Sequence, residues 1–277
     1  MKTAYLYIIM FFTTQFQAQE MTLMTYNIRL DVISDGENSW PNRKEKVAQL
    51  IHFHEPDILG IQEGLPHQVD FLKNALTNYG AFGQGRDGHQ NGEHSTVFYK
   101  KERFELLYHE TFWLSETPNK VTKGWDAALN RICTFGLFKD KKTNKVFYVF
   151  NTHFDHVGEV ARSKSAQLIH QKIAEVNAQD VPVILMGDFN LEPTAGPIQF
   201  LSNHYWHSKL YAKLKYNEGG TFNAFAFHQP IPKEKEIDHI FVSKEKVEIH
   251  KYAVLTDSYE CKYPSDHFPV WVELSLK

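Results

Sequence analysis

Short apolar runs recur along this chain, and each ends at a polar residue. The plainest case is "VPVILMGDFN", residues 181–190. An apolar run of this length, punctuated by Pro and Gly, reads as a buried strand. At its end stand Asp188 and Asn190, with Phe189 between them. The pattern repeats at "MTYN" (Asn27), "GIQE" (Glu63), "VFNTHFD" (His153 and Asp155), "EIDHIF" (Asp238) and "PSDHFPV" (Asp266 and His267). Taken singly, each has an ordinary explanation. An Asn after a strand shapes a turn, and a Glu is commonly solvated. As an ordered set they place polar groups at strand ends, where the loops of α/β folds converge on one crevice.

The rest of the chain fits that frame. "EMTLMTYNIRL" alternates as a first strand ending near Asn27. "WPNRKEKVAQLIHFHEPD" is expected to be helical: Pro41 suits a first turn, Val47, Leu50, Ile51 and His54 share a face, and Pro56 stops it. "DILGIQEG" is a strand ending at Glu63, and "PHQVDFLKNAL" a second helix. "STVFYK", "FELLYHETFWL", "ICTFGLFKD" and "KVFYVFNTHF" read as strands, the last two joined by a turn. A long amphipathic helix is expected from Glu159 to Ala178, and a short one near Pro197–Leu201. "EIDHIFVS", "VEIHKYAVL" and "FPVWVEL" complete the strands. Hairpins mixed with crossover helices suit mixed sheets covered by helices, not a doubly wound parallel sheet.

With 277 residues, 42% of them hydrophobic, and no linker or repeat, one domain over residues 20–277 is expected. The formal charge of −3 and the lack of a long basic run argue against a protein held to nucleic acid by bulk electrostatics. They do not exclude an enzyme that visits it. Residues 1–19 read as a secretory signal peptide: Lys2, an apolar run from Tyr5 to Phe12, then a polar stretch with cleavage near Ala18. The apolar run is too short to span a bilayer, so no stable membrane anchor is expected. A secreted or periplasmic monomer follows from this view. The two cysteines, Cys133 and Cys261, fit no metal motif and are expected as free thiols.

The motifs "TYN", "IQE", "NTHFD", "GDFN", "IDHIF" and "SDHFP", spread over residues 25 to 270, resemble those of the endonuclease/exonuclease/phosphatase superfamily. The pattern is closest to its nocturnin-like deadenylase branch. The resemblance implies an α/β fold, a four-layer α/β/β/α sandwich of two packed mixed sheets flanked by helices. It also implies Mg²⁺- or Mn²⁺-dependent hydrolysis of a phosphoester.

Hard divalent cations want carboxylate and carboxamide oxygens. Glu63 is the leading metal ligand, with Asn27 and Asp266 close by. Asp188 is the candidate to orient and deprotonate the attacking water, and Asn190 to hold that water or a phosphate oxygen. His267 would stabilise charge on the phosphoryl group. By the resemblance, Asp238 pairs with His267. His153 is the second histidine, near the leaving group or a phosphate oxygen. Glu93 is its orienting carboxylate by the same resemblance, with His94 as the rival; a carboxylate beside each histidine is expected to favour the charged ring. Asp155 buttresses the "THFDH" loop. Arg131 reaches a substrate phosphate or forms a surface ion pair. Trp40 and Arg43 line the rim or pack the first helix, and "TFNAFAFHQP" is a candidate loop over the cleft.

The leading function is hydrolysis of phosphodiester bonds, in nucleic acid or nucleotides. The alternatives are a phosphomonoesterase or a lipid or inositol-phosphate phosphoesterase, and, more remotely, a binding domain that has lost catalysis. The completeness of the Glu63, Asp188, Asn190, Asp238 and His267 set speaks against that last one.

Overall fold

A computed structural model describes residues 19–277. The expected signal peptide lies almost wholly outside the described residues. Along the chain run β1 (Glu20–Asn27), α1 (Trp40–His54), β2 (Ile58–Gln62), α2 (Pro66–Ala75), β3 (Tyr79–Phe82), β4 (Val97–Lys100) and β5 (Phe104–Trp113). Next come β6 (Ile132–Asp140), β7 (Val146–His153), α3 (Glu159–Val176), β8 (Val183–Asp188), α4 (Gly196–His204), β9 (Tyr205–His207) and α5 (Ser208–Tyr211). Last are β10 (Leu214–Tyr216), β11 (Asp238–Ser243), β12 (Val247–Val254) and β13 (Val270–Leu276).

The strands form two mixed sheets, ordered β10-β12-β13-β1-β2-β4-β3 and β5-β6-β7-β8-β11-β9. Strand alternation sends successive side chains to opposite faces. Leu23, Ile58, Ile184, Met186 and Ile240 therefore meet between the sheets. Met24, Tyr26, Leu59 and Ile61 pack outward under Val47 and Ile51 of α1 and Leu72 of α2. Leu185, Phe150 and Phe241 pack outward under Ile169 and Ile173 of α3 and Ile198 of α4. The result is the expected four-layer sandwich.

Pairing brings the motif residues to one rim. β1 and β2 run parallel through the α1 crossover, so Asn27 and Glu63 finish side by side. β7 and β8 run parallel through α3, with His153 opposite Asp188. β11 returns antiparallel with Asp238 opposite Asp188. His153, Asp188 and Asp238 thus form one row across three strands. They share the parity of Ile184, Met186 and Ile240, so the row lies on the inner face. β13 is antiparallel to β1, pairing Val270 with Thr25, and so delivers Asp266 and His267 to the same rim.

Beneath this row the sheets are tied by polar groups. Asn151 Nδ2 donates to the carbonyls of Ile61 at 2.9 Å and Thr96 at 3.1 Å. Gln62 Nε2 donates to Asn151 Oδ1 at 2.7 Å. Gly60 makes room for the tie: a Cβ there would lie 2.7 Å from Asn151 Cγ. β3, β9, β10 and α5 are short elements that the sequence pattern does not announce. Cys133 is buried, Cys261 is exposed, and both are free. No described helix is long and apolar enough to cross a membrane.

Candidate active site

The rim opens into a cleft of about 800 Å³ lined by Glu63, Glu93, Arg131, His153, Asp188, Asn190, Asp266 and His267. At its floor Asp188 is 1% exposed. Its Oδ2 accepts from Asn27 Nδ2 at 2.9 Å and faces His153 Nε2 at 3.5 Å and His267 Nε2 at 3.8 Å. Its Oδ1 accepts from the backbone N–H of Asn190 at 2.8 Å. One carboxylate therefore sits between both imidazoles.

The two histidines are in different states. His267 Nδ1 donates to Asp238 Oδ2 at 2.8 Å. Burial works against its charge, but Asp238, with Asp188 and Asp266 beyond, outweighs burial and raises its pKa well above the ordinary value. His267 is a cation locked in place.

His153 is the reverse. Asn190 Nδ2 lies 3.0 Å from the Phe154 carbonyl and 3.1 Å from His153 Nε2. A carbonyl only accepts, which settles the amide's orientation and makes His153 Nε2 the acceptor of its second N–H. His153 is then neutral, with its proton on Nδ1 toward Glu93 Oε2 at 3.9 Å. Burial, then Arg131 and His267, push its pKa well below the ordinary value. This overturns the expectation that both carboxylate neighbours favour charged rings. The reason is burial of the ring among cations, with Glu93 too far, at 3.9 Å, to offset it while its other oxygen pairs with Arg86 at 2.8 Å. His94 turns away, its Nδ1 within 3.1 Å of the Gly64 carbonyl. Glu93, not His94, faces His153.

The metal-ligand candidates cluster. Glu63 Oε1 accepts from Asn27 Nδ2 at 2.9 Å, and its Oε2 from the Leu30 N–H at 3.0 Å. Asn27 bridges Glu63 and Asp188 through its amino group, while its oxygen accepts from the Arg29 N–H at 3.0 Å. One carbonyl lone pair remains for a cation. Asp266 is held loosely, 3.7 Å from Arg29 Nε. Arg29, Glu63 and Asn190 all adopt left-handed backbone, with φ of 56°, 62° and 51°. For Glu63 this costs on the order of 1–3 kcal/mol, the kind of strain that collects at functional sites.

A divalent cation fits this donor set. Burial, then the Asp238 charge, lifts Asp188 to a pKa of about 7. Burial, reinforced by Glu63 and partly offset by His267, lifts Asp266 to about 6. Carboxylates crowded into low dielectric repel one another, and a hard cation relieves that repulsion. Donor atoms of Glu63, His153 and Asp188 lie within 4.8 Å of one another.

Arg131 is buried beside the cleft, with Nε 3.3 Å from Asp155 and Nη2 3.0 Å from His156 Nδ1. Asp155 buttresses its loop by accepting backbone N–H groups from Ala128, Val157 and Gly158. Arg43 is a packing residue. Its guanidinium is buried over Trp40, and it donates to the carbonyls of Ile28, Arg29, Asn38 and Pro264. Phe222 of the "TFNAFAFHQP" loop lines the cleft and bridges to His267.

Sequence reasoning missed Arg86 and Arg29. Arg29 had a signal, lying two residues past Asn27. Arg86 had none, sitting in the turn-rich "GRDGHQNGEH". Its Nη1 is buried without a partner.

The profile of the endonuclease/exonuclease/phosphatase family matches residues 24–267. The chain belongs to that family. Among solved structures, a member of this family from Bacteroides thetaiotaomicron is 40% identical, with a TM-score of 0.90 over 94% of this chain and 99% of that one. A mannosyl-6-phosphatase from the same organism is 40% identical, with a TM-score of 0.88 over 92% of this chain and 100% of that one. Human nocturnin is 21% identical over 92% of this chain and 65% of its own length. The chain spans about half to two thirds of such curated relatives. Family members of this kind are phosphoesterases and nucleases, and this chain is an enzyme of that class.

Proposed function

We propose that this chain is an exported, Mg²⁺- or Mn²⁺-dependent phosphoesterase that removes phosphate from a polar alcohol, a sugar phosphate above all. The observation that carries it is the inner-face row of His153, Asp188 and Asp238, completed by His267 opposite. Glu63 and Asp266, with Asn27 behind them, would hold the cation. When bound, it would polarise the phosphoryl oxygen and offset the charge of the cleft.

The chain's own groups supply the rest. Asp188, beside both imidazoles and with its carboxylate held above the ordinary range by burial and the Asp238 charge, is the group placed to take a proton from the attacking water. Asn190 holds His153 in its neutral form. His267, kept cationic by Asp238, donates from Nε2 to the phosphoryl oxygen as charge grows. Arg86 and Arg131 stand at the His153 end as donors for the remaining phosphate oxygens.

Two features support a monoester. A phosphatase for a sugar phosphate is 40% identical over nearly the whole of both chains. The cleft's exposed rim mixes Glu192 and Glu234 with Lys235 and forms no basic stripe for a long polyanion. Hydrolysis of diesters, foremost at the sequence level, stays as the second choice because apolar Leu30, Leu129 and Phe222 leave room for a second alcohol. Export rests on the character of residues 1–19 alone.

Turnover of mannose 6-phosphate, p-nitrophenyl phosphate, bis-p-nitrophenyl phosphate and plasmid DNA with Mg²⁺ or Mn²⁺ tests this. The sugar monoester should show the highest kcat/KM. Faster cleavage of the diester or DNA would reverse the order, and no metal-dependent turnover of any of them would remove the proposal.

A further inference from the structure

A second group of chemistry-bearing side chains lies outside the cleft, where β9, α5 and the start of β11 meet. His207 closes β9, while Glu236 and His239 flank Asp238 in sequence. All are almost wholly buried. His207 Nε2 and His239 Nδ1 are 2.9 Å apart, and Glu236 Oε1 is 4.0 Å from the same His239 nitrogen. One donor atom from each residue lies within 4.8 Å of the other two.

The bonding around them is incomplete in a telling way. His239 Nε2 lies 2.8 Å from the Leu191 carbonyl, which can only accept, so the ring proton is on Nε2 and Nδ1 presents a lone pair inward. Glu236 Oε2 takes the Lys209 ammonium at 2.5 Å, but its Oε1 has no partner. His207 Nδ1 and Ser208 Oγ also lack partners. A proton shared between the rings accounts for the 2.9 Å contact. It does not account for a buried carboxylate oxygen left bare beside them, and such atoms are rarely unsatisfied.

We propose that His207 Nε2, His239 Nδ1 and Glu236 Oε1 supply three positions of a buried site for a Zn²⁺-type cation, separate from the catalytic cleft, with the fourth position left to a small ligand such as water. Donors at about 2.0–2.2 Å around a tetrahedral zinc sit roughly 3.3 Å apart. The separations of 2.9 and 4.0 Å straddle that spacing, so small side-chain shifts close the site. Two imidazoles and one carboxylate favour a borderline-soft ion, whereas the oxygen-rich cleft favours Mg²⁺ or Mn²⁺. Binding displaces no ring proton: His207 moves its hydrogen from Nε2 to Nδ1. The Leu191 carbonyl orients His239 as backbone carbonyls commonly orient metal-bound histidines. Lys209 already balances Glu236 and stays at the partly solvated edge. Because the site is enclosed, the ion enters as the chain folds. It would clamp β9 and β11 to the turn that follows Asn190.

The test uses the full chain carrying Glu63→Gln, so that the cleft's own cation site is crippled, produced with zinc in the medium and dialysed against Mg²⁺. Elemental analysis should find about one zinc per chain, held by the three buried ligands. Adding His207→Gln should bring zinc to background and lower the Tm. The Glu63→Gln protein without the His207 change, refolded with Co²⁺, should show the intense visible bands of a tetrahedral centre. Zinc at background in the folded Glu63→Gln protein, together with a colourless Co²⁺ form, would overturn the proposal. If His207→Gln does not fold, Glu236→Gln, which keeps the bond to Lys209, decides by the same two readouts: zinc retained at the parent level overturns the site as drawn.

Discussion

Asp188 and its two imidazole neighbours concentrate the chemistry, and the difference between those neighbours is the sharpest feature of the site. Asp238 should act through His267. His267→Ala is expected to lower kcat by about 100-fold or more, the scale of losing a preorganised charge-stabilising donor. Asp238→Asn in that background should then cost little more, because residues acting as a unit are non-additive. A double-mutant cycle on a small phosphoester at saturating Mn²⁺ measures this, and independent losses would separate Asp238 from His267. Glu63→Ala should cut Mg²⁺-dependent turnover by orders of magnitude while leaving the unfolding midpoint close to the parent's. The raised carboxylates also give a pH dependence. Asp188 holds its proton up to about pH 7 and Asp266 to about 6. Protons compete with the cation, so Mg²⁺ affinity should rise as pH increases through that window, with proton release on binding. Calorimetry in buffers of different ionisation enthalpy counts those protons; affinity flat from about pH 5 to 8 would contradict the shifts.

Elements set how far the sequence could be read. Strands ending in "TYN", "IQE", "NTH" and "GDFN" were legible because each is an apolar run with its polar group at the end, and the order of motifs supplied the sandwich. α1 and α3 were legible from their apolar faces. β9, β10 and α5 are too short to carry a period, so the pocket holding His207 was invisible. The charge state of His153 was also hidden, since it depends on an Arg86–Glu93 pair and on how Asn190 points, neither of which is a spacing. Asn151 sits inside "NTHFD", and nothing in its spacing signals that it joins the two sheets. Its side chain joins β7 to β2 and to Thr96 just before β4 through three hydrogen bonds, so Asn151→Ala should destabilise by about 2–4 kcal/mol, at about 1 kcal/mol for each bond lost. Urea unfolding checks this, and a loss below about 1 kcal/mol, the worth of a single ordinary hydrogen bond, would mean the sheets need no such tie.

For the whole molecule, two sheets share one core, and β1 enters it from its first residues, pairing Glu20 with Ser275. A chain starting at Gln19 should therefore match the full-length protein in urea midpoint and in turnover. Mass spectrometry of protein from the native host should find its N-terminus near Gln19; an intact Met1 in the cytosolic fraction would end the export proposal. The row across β7, β8 and β11 bears on time as well as on geometry. Asn27, Glu63, His153 and Asp188 emerge from the ribosome well before Asp238, and His267 precedes only the final strand. A chain still being synthesised thus carries the candidate cation ligands and Asp188 before it has the Asp238–His267 pair. On the proposed mechanism, hydrolytic power would arrive only with the last segment, leaving unfinished molecules silent toward the phosphoesters around them.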